Sequence, residues 1–263
     1  MVQNMKIGVY YYRETNKDNT KYLLEEAKKR GLEIDNDNPD IVFPIGGDGT
    51  FLRAIHHYLN SLDKIIFVGV HYGTLGFFYD FTENDIPALL DEIVNKEYVV
   101  KEHALLKGDV KYKGEEDTIY AVNEIRIENP FHTLISDVYI EDEKLETFRG
   151  NGLVVASSLG SSAYNKSLGG SLVDHDIDSL QLTEIAPIAN NVYRSLGSSF
   201  VLSKDKHISF SGSFKGAVVG YDHSNIENKE LISIKISCSD KKVKILHSKD
   251  QSFIKRIRKS FIL

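Results

Sequence analysis

The 263-residue chain has a single cysteine, Cys238, and so cannot close an internal disulfide. A reducing cytoplasm suits such a chain. The thiol lies in an alternating segment and is expected to be buried and structural. Long apolar runs are also lacking, since none approaches the roughly 20 residues of a membrane-spanning helix. The N-terminus has no charged-then-apolar leader pattern, so a cytoplasmic protein with no membrane partner is expected. There is no excess of basic residues. With 32 Lys and Arg against 38 Asp and Glu the net charge is −6, which argues against nucleic acid as the main partner. Internal repeats and low-complexity stretches are missing as well. The adjacent His56 and His57 have no carboxylate or thiolate at zinc spacing, so they read as ordinary helix residues and no metal ligand is expected among the side chains.

What remains is ordinary globular composition, 41% hydrophobic and 27% charged, on a chain long enough for one large domain or two medium ones. The first hundred residues alternate between strand and helix. Residues 6–11, 41–45 and 65–70 read as strands, the last continuous in apolar character. Residues 21–30, closed by Gly31, together with 51–59 and 86–94, read as helices. Such alternation predicts a Rossmann-like α/β domain with a parallel sheet between helices. After about residue 100 the pattern changes to short alternating stretches, at 119–127, 137–140, 200–202, 207–210, 217–219, 231–237 and 243–246, which predict a mostly β domain. The expected division is 1–100 for the α/β domain and 101–247 for the β-rich one. The tail, 248–263, is expected to pack back on the first. Its basic run at 255–259, flanked by Phe253, Ile254, Phe261 and Ile262, is too short and mixed for a membrane-surface helix and reads as a docking helix.

The most informative run is Gly46-Gly47-Asp48-Gly49-Thr50, set between the second apolar strand and a helix. Glycines at a strand-to-helix junction let the backbone approach a ligand and offer N–H groups to phosphate oxygens. A carboxylate beside polyphosphate is repelled unless it takes a proton or helps to hold a cation, which makes Asp48 the candidate catalytic residue. Asp-Gly and Gly-Gly are also common turn dipeptides, so the run by itself leaves a purely structural role open.

Four segments in order resemble the NAD kinase family, which phosphorylates the adenosine ribose 2′-hydroxyl of NAD. They are the glycine run at 46–50, the segment 69–77 with His71 where many members carry Asn, the pair Asn123-Glu124, and the stretch 150–164. The resemblance implies that Asp48 is the general base, with Gly46, Gly47, Gly49 and Thr50 forming the phosphate loop. It also implies an NAD site drawn from Asp48, Gly49, Phe77, Asn123, Glu124, Arg149, Asn151, Ser162, Ala163, Tyr164, Ser167, Ala186 and His223. Asn123 and Glu124 would contact the ribose and adenine. As strand neighbours they leave opposite faces unless the strand ends or bulges there, and a plain polar strand edge is the alternative. Phe77 reads equally as a base-packing ring or as core. His223 would lie near the diphosphate. The implied substrates are NAD and ATP or polyphosphate, with Mg²⁺ or another divalent cation, and the implied assembly is a homotetramer.

Two departures stand out. Asn151 replaces the family's usual Asp, removing a charge from the nicotinamide end of the site. Ser157-Ser158-Leu159-Gly160 replaces a Thr-Pro turn, which is expected to be looser, with Leu159 removing a hydroxyl that could reach the nucleotide. Two other functions share the glycine run: a lipid kinase acting on diacylglycerol or a sphingoid base, and a non-catalytic dinucleotide sensor. Retention of Asp48 argues against the sensor, because binding alone does not require a carboxylate among phosphates.

Overall fold

The computed structural model describes residues 5–14, 17–72, 76–227, 230–249 and 252–262. The chain forms two compact units, 1–102 with 241–263, and 103–240.

In the first unit, strand β1 (Lys6–Tyr10) is followed by helix α1 (Thr20–Lys29), β2 (Glu33–Ile34), β3 (Ile41–Pro44) and α2 (Asp48–His57). Next come β4 (Ile66–Phe67), β5 (Val70–His71), β6 (Phe81–Thr82) and α3 (Ile86–Asn95). The strands β2, β1, β3 and β4 lie side by side, all parallel. Gly31 takes a φ of +73° just after α1, the left-handed turn that glycine makes without a steric penalty. Ile7, Ile41, Phe43 and Ile45 meet Leu23 and Ala27 of α1 and Leu89, Leu90 and Ile93 of α3 in one core. Near-continuous apolar strands are what a sheet buried on both faces requires.

The expected strand at 65–70 is two strands instead. It breaks at Gly69, where a Cβ would sit 2.0 Å from the Phe78 carbonyl oxygen. β5 then pairs in parallel with β6 as a separate ribbon. Helix α2 also begins earlier than expected, at Asp48 rather than Phe51, with Gly47 as N-cap.

The second unit is an antiparallel sandwich. Two long strands, β7 (Val99–Tyr112) and a last one, Leu231–His247, carry the chain into and out of it. Between them run β8 (Glu115–Ala121), β9 (Glu124–Glu128), β10 (Leu134–Ile140), β11 (Glu143–Gly150), β12 (Gly152–Ala156) and the short α4 (Tyr164–Ser167). Strands β13 (Ser179–Ile185), β14 (Phe200–Ser203), β15 (His207–Ser213), β16 (Val218–Tyr221) and β17 (Ser224–Ile226) follow, and β18 is Leu231–His247. One sheet orders β14-β13-β12-β9-β16-β17, and the other places β11, β10, β15 and β18 side by side. Inward residues of both sheets, among them Ile125, Ile127, Phe148, Val155, Phe210 and Ile234, form a single core. Two expected stretches, 231–237 and 243–246, prove to be one strand, paired at one end with β15 and at the other with β4. Cys238 is half-buried against this core, and burial pushes its thiol up to about 11, so it stays neutral. No helix among the described residues is long and apolar enough to cross a membrane.

Candidate active site

In the first unit, the glycine run is the N-terminus of α2 rather than a free loop. Asp48 is its first residue, so it stands at the positive end of the helix dipole. The two carboxylate oxygens accept backbone N–H groups from Phe77 (3.0 Å) and Phe78 (3.2 Å). The Tyr79 hydroxyl donates to the Gly47 carbonyl at 2.9 Å. Gly76 packs so closely that a Cβ there would sit 2.2 Å from the Asp48 Oδ1. By contrast, Cβ atoms at Gly47 and Gly49 would meet nothing within 4 Å, leaving that side open to a ligand. Burial raises the Asp48 carboxyl above its ordinary value, and the two backbone N–H bonds only partly oppose this. A carboxylate whose pKa is raised is better matched to taking a hydroxyl proton than a fully solvated one. The Phe77 ring lies 5.3 Å from the Phe261 ring, so its aromatic face meets protein.

In the second unit, the chain bends at Val122 and Asn123, between β8 and β9. The strand therefore does end between the polar pair, which the sequence left open. The bend is held from one hundred residues away. The Asp222 carboxylate accepts the N–H groups of Val122 and Asn123, both at 2.7 Å. Asp222 itself has a φ of +47°, uncommon for a residue with a side chain. Asn123 Oδ1 and Glu124 Oε2 are buried and accept no hydrogen bond within the protein. Such orphaned acceptors are costly in a free protein and become useful when a ligand supplies the donor. Burial, with the Asp222 charge adding to it, pushes Glu124 up to about 8. The Arg126 guanidinium, 3.6 Å away, opposes that shift without cancelling it. At neutral pH Glu124 thus carries a proton and can donate as well as accept.

A cavity of about 570 Å³ opens beside this network, lined in part by Arg126, Glu128, Asn151, Tyr164, Ala186 and His223. Glu128 ties two walls together, accepting from Arg126 Nε at 2.8 Å and from the Tyr164 hydroxyl at 3.0 Å. Four of the expected NAD residues, Asn151, Tyr164, Ala186 and His223, therefore share one cavity. The others are placed differently. Arg149 lies over the Tyr193 ring at 4.5 Å, Ser162 bonds back to the Leu159 carbonyl, Ala163 caps α4 and Ser167 is exposed at its end.

Arg126, Glu128 and Asp222 were not anticipated. The alternation Glu124-Ile125-Arg126-Ile127-Glu128 puts three charges on one strand face, a signal present in the sequence but weak without the partner strand. That partner makes room for the arginine: a Cβ at Gly220 would lie 2.6 Å from Arg126 Cζ.

The ATP-NAD kinase N-terminal domain model matches residues 3–98, and the C-terminal domain model matches 122–248. An NAD kinase of Leuconostoc citreum is 35% identical over 260 residues, covering 98% of both chains. One from Staphylococcus aureus strain JH9 is 40% identical over 245 residues, 91% of each. The chain belongs to the NAD kinase family. Two solved structures share the fold: yeast NADH kinase complexed with NADH, and an NAD kinase from Archaeoglobus fulgidus in complex with ATP. The yeast chain has a TM-score of 0.83 at 18% identity, matched over 98% of this chain and 87% of that one. The archaeal chain has 0.75 at 21%, over 98% and 97%. The lipid-kinase and sensor readings find no support in these relatives.

Set against the NAD kinase motifs, both departures take on a structural meaning. The Asn151 amide donates to the Asn129 carbonyl at 3.1 Å, a bond that an ionised Asp lacks the proton to make. The turn at 157–160 is pinned rather than loosened. Ser157 Oγ donates to the Val122 carbonyl at 2.5 Å and accepts from Gly160 N at 3.1 Å, while Ser158 Oγ donates to the Ile177 carbonyl. Hydroxyl bonds do there what proline's fixed φ does elsewhere. Leu159 is 5% exposed, packed inward.

Glu124 gives a test of the polar pocket. Its folded-state pKa is raised, so between the ordinary value and about 8 the folded protein holds a proton that the unfolded chain releases. Stability referred to this group therefore falls as pH rises through that window. Relative to Glu124→Gln, the parent protein should lose stability between about pH 5 and pH 8, read from urea midpoints. A difference that does not vary with pH would contradict a buried ionisable carboxyl.

Proposed function

We propose that this chain transfers the terminal phosphoryl group of ATP to the 2′-hydroxyl of the adenosine ribose of NAD, giving NADP and ADP. The observation that carries this reading is the Asp48 carboxylate, fixed by two backbone N–H groups at the start of a helix whose glycines leave the adjoining space open. In the step, the 2′-oxygen forms a bond to the γ-phosphorus as the bond from that phosphorus to the β-bridging oxygen breaks. The hydroxyl proton passes to Asp48, and ADP leaves with the bond electrons. Because the transition state is loose, the protein's share is mainly position and charge neutralisation. The backbone N–H groups of Gly47 and Gly49, at the start of α2, serve the phosphates.

The divalent cation enters as part of the substrate, Mg·ATP. Among the described residues no group of three His, Cys, Asp or Glu side chains is arranged as a metal site. On the NAD side, Asn123 and protonated Glu124 have buried polar atoms available for ribose and adenine, and Tyr164 and His223 line the 570 Å³ cavity assigned to the rest of the dinucleotide. A homotetramer in the cytoplasm completes the reading, supported by family membership and by the lone cysteine.

A coupled assay for NADP from NAD, run with Mg·ATP and separately with Mg·polyphosphate, tests the reaction and its donor. Asp48→Asn should cost about 10²-fold or more in turnover while NAD binding, measured by calorimetry, is kept. Parent-level turnover in that variant would remove the base role, and no NADP from either donor would remove the function. Asn151→Asp should keep kcat and raise the KM for NAD a few-fold, because the wall of the cavity loses the side-chain half of its double tie to Asn129. An unchanged KM would show that the position does not serve the dinucleotide.

A further inference from the structure

The C-terminal helix α5 (Phe253–Phe261) begins at Ser252, whose side chain accepts from Lys255 N. One face, Phe253, Arg256 and Ile257, is half-buried at the i, i+3, i+4 spacing of a docked helix. From that face Arg256 grips Asp80 with two parallel bonds, Nε to Oδ1 at 2.9 Å and Nη2 to Oδ2 at 2.7 Å. Both side chains are almost fully removed from water, at 11% and 3% exposure. His247 Nδ1 stands 2.8 Å from the same Asp80 oxygen. Burial alone would raise the Asp80 carboxyl, but the hydrogen bonds from His247 and Arg256 hold it below its ordinary value. One turn further along, the Phe261 ring meets the ring of Phe77.

Asp80 and Phe77 are the two ends of the four-residue segment that holds Asp48. Phe77 and Phe78 donate their N–H groups to the Asp48 carboxylate, the Phe78 ring stacks on Phe51 at 4.7 Å, and Tyr79 bonds the Gly47 carbonyl. The middle of the segment is thus fastened to α2, and both ends are fastened by the C-terminal helix. A bidentate, desolvated guanidinium–carboxylate pair is far more directional than a surface ion pair. Its use here makes sense if the segment must be held to within a fraction of an ångström.

We infer that Arg256 is a positioning residue for the reaction: acting through Asp80, it fixes the segment whose backbone N–H groups aim the Asp48 carboxylate. This rests on the reading of Asp48 as the base. Arg256 touches no reacting atom. Its contribution is the orientation of a group that does, where small misplacements cost large factors in rate.

The test uses the full-length chain with NAD and Mg·ATP. Arg256→Ala should lower kcat by roughly tenfold or more with KM for both substrates nearly unchanged. Arg256→Lys should fall between, since one ammonium cannot form the paired bonds. Phe261→Ala should lower kcat by a smaller factor. Leaving Asp80 buried without its arginine also costs stability, so the double variant Asp80→Asn/Arg256→Gln, which removes both charges, separates the two effects. Its kcat should stay low even where its melting temperature recovers. Parent-level kcat in Arg256→Ala, or full recovery of kcat in the double variant, would overturn the inference. So would a kcat loss that merely follows the melting temperature across the set. Asp48→Asn serves as the control. If it is inactive while Arg256→Ala is normal, only the positioning role fails; if it is active, the base reading fails first.

Discussion

Two backbone N–H groups bonded to one carboxylate are the interaction on which the functional account depends. An aspartate at the first turn of a glycine-flanked helix can rotate toward water, toward phosphate or back onto its own helix. The N–H groups of Phe77 and Phe78 remove that freedom. Gly76 closes on the carboxylate so tightly that no side chain fits there. The break at Gly69, the small β5–β6 ribbon and the docked C-terminal helix can all be understood as ways of delivering residues 76–80 to Asp48. Even the sign of the pKa shift fits. Burial raises the carboxyl, making it a stronger base, and the N–H bonds restrain the rise.

The second unit makes a different compromise. Glu124 and Glu128 flank a single guanidinium, the Asp222 charge lies close enough to raise Glu124, and the buried Asn123 Oδ1 and Glu124 Oε2 have no partner within the protein. Replaced by apolar side chains, this cluster would make a more stable sandwich. Its retention, beside a cavity of nucleotide size, is the mark of a binding surface that is completed by its ligand.

What could be read from the sequence follows from the range of the forces involved. The alternating apolar runs and turn signals of the first hundred residues are local, and the α/β architecture they predict is the one observed, as is the change to β structure afterwards. Features set by distant partners were hidden. The bend at Asn123 is made by Asp222, and nothing near either residue announces the other. The middle of β18, Ser237 to Lys242, looks like a polar linker and is a strand only because neighbouring strands pair with its two ends. The serine turn at 157–160 looked loose because a missing proline is visible in the sequence, whereas the compensating bonds to Val122 and Ile177 are not. For the same reason Asp48 stood out by its chemistry, while the peptide groups that hold it, 29 and 30 residues away, carried no side-chain signature.

The claim that Asp48 takes the hydroxyl proton is tested most directly by the pH dependence of the phosphoryl-transfer step itself, followed in single turnovers with excess enzyme. The account predicts a rate that rises with pH through one acidic limb, set by a carboxyl titrating above the ordinary aspartate value of about 3.9. That limb should be absent from the residual activity of Asp48→Asn. An identical limb in the variant would assign the proton to another group and contradict the account.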